Sequence, residues 1–195
     1  MSEALAYEPV VDENDDYEII NGKVYKMPRL SLRHNQIVGN LYIKFKDYLR
    51  GKKGTAFGRV DVFLSEKDDH VIPDVGIACN PEIITEKRIE GTPDLVVEIL
   101  SRSTGLKERT VKLFTYAKYG VKEYWLVDPV RKSVEVYLRH DGVLLLDNIY
   151  YFYTEKEWAD MDDKERAEAE SQRMIKVSLY DDFIIDVADV FEDVN

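Results

Sequence analysis

Two acidic side chains lie where the surrounding sequence predicts buried strands. Asp74 follows Pro73 inside the apolar run 71–78, and Glu98 lies in the middle of the short apolar run 94–100. An ionised carboxylate in a buried strand is costly unless a cation, hydrogen bonds or a metal ion compensates its charge. Two such carboxylates on neighbouring strands are one ordinary way to hold Mg²⁺, with waters and a substrate phosphate completing the coordination. A buried acid paired with arginine or with a helix end is the structural alternative.

The composition narrows the kind of metal site. The 195 residues include one cysteine, Cys79, and three histidines, His34, His70 and His140. This excludes an internal disulfide and a cysteine cluster for zinc, and it disfavours a nitrogen-rich metal site. Oxygen ligands are the natural choice, so magnesium or manganese is the expected cofactor. Because Cys79 lies in an apolar run, we expect a buried thiol in a reducing compartment.

The charge distribution bears on the substrate. The chain carries 27 basic and 38 acidic residues, a net charge of −11, which argues against a general binder of polyanions. Much of the acid lies in residues 154–172 and 181–193, whereas residues 23–53 contain nine basic residues and one acid, Asp47. This basic stretch is either a nucleic-acid-binding face or a solvated helix face.

No part of the sequence is expected to enter a membrane. The N-terminus lacks a basic stretch followed by an apolar run, and no run of about 18 apolar residues occurs. We therefore expect a cytoplasmic protein that makes no membrane contact.

The elements that must position the two carboxylates follow from hydrophobic periodicity and turn signals. Asn21-Gly22 separates two β-prone runs within residues 17–27 and predicts a hairpin. Ser31 is placed to cap a helix whose apolar residues recur at helical spacing and which Gly51 ends. The strands predicted to follow, the first two as an antiparallel pair if their connecting turn is a hairpin, are residues 55–64, 71–78, 94–100 and 123–128.

A second helix is predicted over residues 101–119, before the last of these strands. Gly120 caps its end, and its apolar stripe is predicted at Leu106, Thr110, Leu113 and Ala117. The order of helices and strands indicates an α/β fold with a mixed central β-sheet flanked by helices.

The length fits one domain. Residues 1–16 are predicted to be a flexible lead-in, and residues 17–195 a single domain whose core spans about 31–130. Within residues 131–195 we expect a hairpin around Asp141-Gly142, a charged helix over 155–173, and a tail at 184–191 that packs back on the core.

Several motifs, taken together and in order, resemble the Uma2-type family of restriction endonucleases, a branch of the PD-(D/E)XK nuclease superfamily. The matching elements are residues 17–22, His34, 72–75, 93–101, Ser103-Thr104, Lys112, Tyr116, Gly120-Val121 and 123–129, with a weaker match at 184–191. The resemblance implies a restriction-endonuclease-like core with an N-terminal β-hairpin. It also implies a metal-dependent endonuclease in which Asp74 and Glu98 bind Mg²⁺ or Mn²⁺ and DNA is the substrate.

The sequence departs from the superfamily pattern at the position of the catalytic lysine. The Glu-X-Lys half-motif would place lysine at residue 100, where this chain has Leu100. Some branches supply the lysine from the following helix, which makes Lys112 the candidate for steadying the attacking water or the transition-state charge. The alternative is an exposed Glu108–Lys112 pair on a helix row that also contains Tyr116. Weaker candidates for the lysine's function are Gln36 and Lys107.

Four further polar residues carry open assignments. By the family pattern Glu18 is a further metal ligand, although a glutamate at a strand edge is commonly solvated. His34 could contact a phosphate or act in acid–base chemistry, but a histidine near a helix start is more often structural. Asp94 is a strand-start residue or a carboxylate supporting Glu98, and Asp128 is most simply a turn former.

Three functions compete at this point. The first is metal-dependent phosphodiester hydrolysis with Lys112 as third catalytic residue and with His34, Glu108 and Tyr116 in support. The second is a non-catalytic binding or assembly module, which Leu100 and the net charge favour. The third is hydrolysis of another phosphate ester, which the fold alone does not exclude. A homodimer is expected if both strands of a duplex are cut.

Overall fold

The computed structural model describes residues 16–65, 69–101 and 105–194. Nearly all of the predicted lead-in therefore lies outside the described residues, as do Ser103 and Thr104. The strands are β1 (Tyr17–Ile20), β2 (Lys23–Lys26), β3 (Thr55–Phe57), β4 (Val62–Phe63), β5 (His70–Val71), β6 (Val75–Ala78), β7 (Ile89–Glu90), β8 (Leu95–Ile99), β9 (Glu123–Asp128), β10 (Ser133–His140), β11 (Val143–Tyr151), β12 (Met174–Lys176) and β13 (Ile184–Asp186). The helices are α1 (Leu32–Tyr48), α2 (Gly105–Lys107), α3 (Leu113–Tyr119), α4 (Glu155–Asp160), α5 (Asp163–Ser171) and α6 (Val187–Val190).

A six-stranded mixed sheet forms the centre of the fold, in the order β11-β10-β9-β8-β6-β3. Strands β8 and β9 are parallel, and the other neighbours are antiparallel. Side chains alternate between the two faces of a strand. Val97 and Ile99 therefore pack with α1 and the C-terminal segment, while Val96 packs with Tyr116 of α3. Glu98 shares the face of Val96, so it points toward α3. The α/β fold with helices flanking a mixed sheet is confirmed.

A second sheet has the order β2-β1-β5-β4-β7 and contains the predicted hairpin. Asn21 and Gly22 form its turn, both with positive φ, and β1 continues the sheet by pairing Ile19 with His70 of β5. The hairpin prediction is therefore correct. Since side chains alternate along β1, Glu18 faces the opposite side from Tyr17 and Ile19.

Each of the two strands predicted at 55–64 and 71–78 is divided between the two sheets. The first gives β3 in the central sheet and β4 in the second sheet, and the second gives β6 and β5 in the same way. The antiparallel arrangement holds for both pairs. Pro73, which has no N–H for a ladder hydrogen bond, lies where the chain passes from β5 to β6. Asp74 consequently lies at the junction of the sheets and not within a strand.

Helix α1 begins as the sequence predicts. The Ser31 side chain accepts a hydrogen bond from the backbone N–H of His34, and Ile37, Leu41 and Phe45 are fully buried. A serine in this position satisfies one of the N–H groups that a helix start leaves without an intrahelical acceptor. The cap also fixes His34 in the first turn.

The helix predicted over 101–119 has a different hydrogen-bonding pattern from the one expected. Residues Glu108–Lys112 form a π-helical turn between α2 and α3. Its i→i+5 bonds add a residue to the turn and rotate the preceding residues relative to α3. Leu106 is 78% exposed and Thr110 is exposed, so the predicted apolar stripe is wrong in that half, while Ala117 is buried.

The C-terminal region follows the prediction in outline. The predicted hairpin is present as β10–β11, turns at Asp141-Gly142 and contains a bulge between Val136 and Tyr137. The charged helix divides into α4 and α5 because Asp162 starts a new helix with a capping box. The tail packs on the core through Ile185, Val187 and Phe191, as expected. Across the described part of the chain, every helix is too short or too polar to span a bilayer.

Candidate active site

Asp74 and Glu98 both line one open cleft of about 1010 Å³. The cleft lies between the start of α1, the chain after β8, the chain after β9 and the π-helical turn. The two carboxylates are 3% and 2% exposed, so they are almost enclosed by protein and open only toward the cleft. The two predicted ligands are therefore brought together at one solvent-facing surface.

Asp74 is held from two sides. Its Oδ2 accepts a hydrogen bond of 2.8 Å from the backbone N–H of Ile99, at the end of β8. Its Oδ1 lies 2.8 Å from Nε2 of His34. The first contact ties the start of β6 to the strand that carries Glu98, and the second ties it to α1. His34, predicted as a supporting residue, thus orients Asp74 in this structure.

Glu98 is held by side chains from the helix that covers its face of the sheet. Its Oε1 accepts hydrogen bonds from Nζ of Lys112 at 2.7 Å and from the hydroxyl of Tyr116 at 2.6 Å. Tyr116 was predicted as a supporting residue, and it contacts Glu98 directly. Residues 112 and 116 meet the same oxygen because they are four apart on one helix face.

Lys112 is completely buried and bridges two glutamates. Its Nζ lies 2.6 Å from Oε1 of Glu18 and 2.7 Å from Oε1 of Glu98. The exposed Glu108–Lys112 pair considered from the sequence is therefore wrong, because the π-helical turn directs both residues inward. Burial opposes the charge of Lys112, yet the carboxylates of Glu18 and Glu98 raise its pKa above the usual value. Lys112 does not border the cleft, since it lies behind Glu98.

Glu18 has no exposed surface, so the expectation of a solvated strand-edge glutamate is wrong. Its Oε1 accepts from the backbone N–H of Ile72 at 3.0 Å as well as from Lys112, and its Oε2 accepts from Nζ of Lys107 at 2.7 Å. Burial opposes ionisation, but Lys112 and Lys107 lower the pKa of Glu18. It is an ionised counter-ion between two lysines.

The pKa of Glu98 moves in the opposite direction. Burial raises it to about 8; Lys112 opposes this increase, and the negative charges of Asp74, Glu18 and Glu108 add to it. In an isolated ion pair the pKa of the glutamate would fall, whereas here the pKa values of both Glu98 and Lys112 are raised. Glu18 reconciles them, because among the charged neighbours of Lys112 it has the largest effect on that lysine's pKa. The charge on Glu98 is therefore only partly compensated within the protein.

Among the described residues of the buried cluster, carboxylates outnumber ammonium groups. Glu108 is 4% exposed, borders the cleft, and lies 3.8 Å from Nζ of Lys107. The carboxylates of Glu18, Asp74, Glu98 and Glu108 thus surround the ammonium groups of Lys107 and Lys112. Among these named side chains the carboxylates outnumber the ammonium groups, which favours a divalent cation beside Asp74 and Glu98.

Asp74 and Glu98 are the candidate ligands for such a cation. Within the described residues, no three side chains of histidine, cysteine, aspartate or glutamate converge as a complete metal site. Mg²⁺ commonly binds through one or two carboxylates and fills its other positions with water and substrate oxygens. The donor set therefore fits Mg²⁺ or Mn²⁺ with substrate present better than a metal enclosed by protein ligands.

Arginines line the cleft around the acidic centre. They are Arg29 and Arg33 beside the start of α1, Arg109 in the π-helical turn and Arg131 after β9. Arg109 lies 2.5 Å from Glu135 of β10. The first two belong to the basic stretch recognised in the sequence. Sequence reasoning missed the other two, although Arg109 is three residues from Lys112 and Arg131 follows the turn that ends β9.

Other polar candidates have structural positions. Asp94 accepts from the backbone N–H of half-buried Cys79 at 2.7 Å and pairs with Lys122, consistent with a strand-start residue. Asp128 accepts from two N–H groups of the following turn, as predicted, and also borders the cleft. Gln36 donates to the carbonyl of Asp193 and does not border the cleft.

Comparisons with known proteins agree with this architecture. The model of the Uma2 family, described as a putative restriction endonuclease, matches residues 1–160. The uncharacterized protein slr1290 of Synechocystis sp. is 27% identical over 132 residues, which cover 66% of this chain and 69% of that protein. A crystal structure of a putative nuclease belonging to DUF820 from Anabaena variabilis superposes with a TM-score of 0.66 at 20% identity, covering 90% of this chain and 89% of the other. The similarity to the Anabaena variabilis structure supports the fold of this chain.

Proposed function

The chain belongs to the Uma2 family of putative restriction endonucleases, and we propose that it is a metal-dependent endonuclease that hydrolyses phosphodiester bonds in DNA. The observation that carries the proposal is the pair Asp74 and Glu98, two nearly buried carboxylates that open into one cleft, the first directly before β6 and the second on the adjacent strand β8. The surplus of carboxylates over ammonium groups among the described residues around this pair supports a divalent cation, Mg²⁺ or Mn²⁺, between them.

The residues of the chain would prepare the site before substrate arrives. When bound, the metal ion would lower the pKa of a water and offset the charge that develops at phosphorus. His34 and the Ile99 amide fix the carboxylate of Asp74, while Lys112 and Tyr116 fix that of Glu98. Such outer contacts orient metal-binding carboxylates and tune their affinity.

Lys112 would act through Glu98. Its ammonium group is enclosed behind that carboxylate, so the contacts favour charge balance and orientation over direct contact with the attacking water. The sequence-based assignment of Lys112 as the catalytic lysine stays a prediction. Lys107 is no simpler substitute, because its ammonium group is held between Glu18 and Glu108.

The arginines at the cleft would contact the phosphates of DNA. Arginine binds phosphate oxygens with two parallel N–H donors, and these contacts supply affinity without reading sequence. The net charge of −11 works against this attraction at longer range. Affinity should therefore be modest and sensitive to salt.

The second candidate is a binding module that keeps the fold without hydrolysis. Leu100 at the expected lysine position and the enclosed ammonium group of Lys112 favour it. Retention of two costly buried carboxylates at a cleft favours the enzyme.

Cleavage of plasmid and single-stranded DNA with Mg²⁺ or Mn²⁺ distinguishes the two. We expect the native protein to cleave, and Asp74→Asn and Glu98→Gln to lose cleavage while remaining folded. Asp94→Asn is the matched control, because this partly buried aspartate contacts Cys79 and Lys122 and does not border the cleft. Metal binding without cleavage of either DNA would contradict the nuclease proposal and leave the binding module as the better account.

A further inference from the structure

We infer that Glu18 is a positioning residue that fixes the Asp74–Glu98 pair and sets its affinity for a divalent cation without binding the cation itself. The inference rests on the proposed metal site. It replaces the expectation, drawn from the family resemblance, that Glu18 is a third ligand. Glu18 lies on the N-terminal hairpin, far along the chain from both carboxylates.

The link to Glu98 runs through Lys112. The ammonium group of Lys112 lies 2.6 Å from Glu18 and 2.7 Å from Glu98, and no part of its side chain is exposed. A fully desolvated cation needs compensation from within the protein. While Glu18 provides it, Lys112 can remain a hydrogen-bond donor to Glu98 without neutralising that carboxylate alone.

The link to Asp74 runs through the backbone. The same Oε1 of Glu18 accepts from the N–H of Ile72, two residues before Asp74. The intervening Pro73 has a ring-restricted φ angle, so it transmits the position of Ile72 to Asp74 with little freedom. Oε1 of Glu18 is therefore connected to both candidate ligands: to Glu98 through Lys112, and to Asp74 through the backbone of Ile72.

The second oxygen of Glu18 restrains another cation. Lys107 lies 2.7 Å from Oε2 of Glu18 and also lies over the ring of Tyr25, 5.5 Å from its centroid. The β1–β2 hairpin thus holds this lysine through two contacts. Without Glu18, both lysines would turn to the carboxylates that border the cleft, Glu98 and Glu108, and compete there with the metal ion.

The position of Glu18 argues against direct ligation. It has no exposed surface and does not border the cleft. Both of its oxygens already accept hydrogen bonds, one from two donors and one from Lys107. A ligand would need an oxygen directed at the same opening as Asp74 and Glu98.

Mn²⁺ binding, measured by calorimetry without DNA, tests the inference with three variants of the full chain. Glu18→Gln retains the shape but loses the charge, and we expect at least about tenfold weaker binding, the usual scale for a residue that supports ligands from outside the coordination shell. Lys112→Met removes the cation that Glu18 compensates and is expected to bind Mn²⁺ at least as well as Glu18→Gln. The double variant Glu18→Gln/Lys112→Met should regain part of the lost affinity, because the ammonium group of Lys112 no longer competes for Glu98 and only that of Lys107 remains.

The rescue separates positioning from ligation. If Glu18 were a ligand, the double variant would stay as weak as Glu18→Gln, and that result would overturn the inference. Should Glu18→Gln fail to fold in circular dichroism, Glu18→Asp replaces it: the charge stays but the shorter side chain cannot reach both lysines, so intermediate affinity is expected and native affinity would contradict the inference. Native protein that binds no Mn²⁺ would instead remove the proposed metal site, and the inference with it.

Discussion

The ammonium group of Lys112 lies 2.7 Å from Glu98 inside the protein, although the two residues are fourteen positions apart and belong to different elements. The contact depends on the face of β8 that carries Glu98 and on the π-helical turn that directs Lys112 inward. Desolvation of two charges is expensive, so such a pair stabilises a fold weakly but is costly to break. Because Glu98 lines the cleft, the same contact that contributes to folding also fixes the position of a candidate metal ligand.

Loss of the lysine should therefore destabilise the protein strongly. Lys112→Met leaves buried Glu18 and Glu98 without their shared cation, and removal of one partner from a buried pair costs about 3–5 kcal/mol. Urea unfolding monitored by circular dichroism measures the change. Lys118→Met is the control, because Lys118 lies on the same helix with 55% of its side chain exposed and pairs with Asp69. Equal destabilisation by the two changes would contradict the assignment of Lys112 to a buried charge network.

The hydroxyl of Tyr116 should contribute both to folding and to metal binding through its contact with Glu98. Tyr116→Phe keeps the buried ring but removes the donor to Glu98, a hydrogen bond to a charged group worth about 1.5–3 kcal/mol. We expect weaker Mn²⁺ binding and slower DNA cleavage in the variant. Tyr124→Phe is the matched change, because this equally buried tyrosine donates to the backbone carbonyl of Glu108. The same loss of Mn²⁺ affinity in both variants would mean that the effect is not specific to Glu98.

The sequence was informative where local chemistry decided the structure. Asp74 and Glu98 were recognisable because acids in apolar runs need compensation, and the Asn21-Gly22 turn and Ser31 cap are short-range signals. The buried face of the helix around Lys112 was not recognisable, because a 3.6-residue period assumes regular α-helix and a π-helical turn changes the phase. The stripe through Leu106 failed for this reason.

The contacts between site residues that are far apart in the chain could not be predicted from the sequence either. The contacts of Glu18 with Lys107 and Lys112 depend on how the N-terminal hairpin packs against a much later helix. Glu18 and Lys107, for example, are 89 residues apart in the sequence. The division of the predicted strands between two sheets, which places Asp74 at a junction, required knowledge of the pairing. The cleft arginines after β9 and in the π-helical turn became apparent only from their shared surface.

Removal of a cleft arginine should weaken binding to DNA regardless of its sequence. Arg131→Ala deletes an exposed cation at the cleft, and loss of one phosphate contact lowers the slope of log affinity against log salt by about 1. Fluorescence anisotropy with a labelled duplex in Ca²⁺, at several salt concentrations, measures both quantities. Arg50→Ala controls for net charge, since Arg50 is exposed near the end of α1 and pairs with Asp47. Equal weakening by the two changes would indicate a general charge effect and no defined phosphate contact.

The raised pKa of Glu98 predicts a stability that falls as pH rises. Burial, the largest cause, raises the pKa of Glu98 from 4.5 to about 8, so the folded state binds this proton more tightly than the unfolded state. The contribution to stability is complete below about pH 4.5 and is lost as pH rises through about 8. Glu98→Gln cannot titrate, so the difference in unfolding free energy between native protein and variant should change with pH over this window. Urea unfolding in metal-free buffer from pH 5 to 9 gives that difference, and a constant difference would show that Lys112 keeps Glu98 ionised throughout.

Mn²⁺ should stabilise the native protein more at pH 8 than at pH 6, because a cation and a proton compete for the same carboxylate.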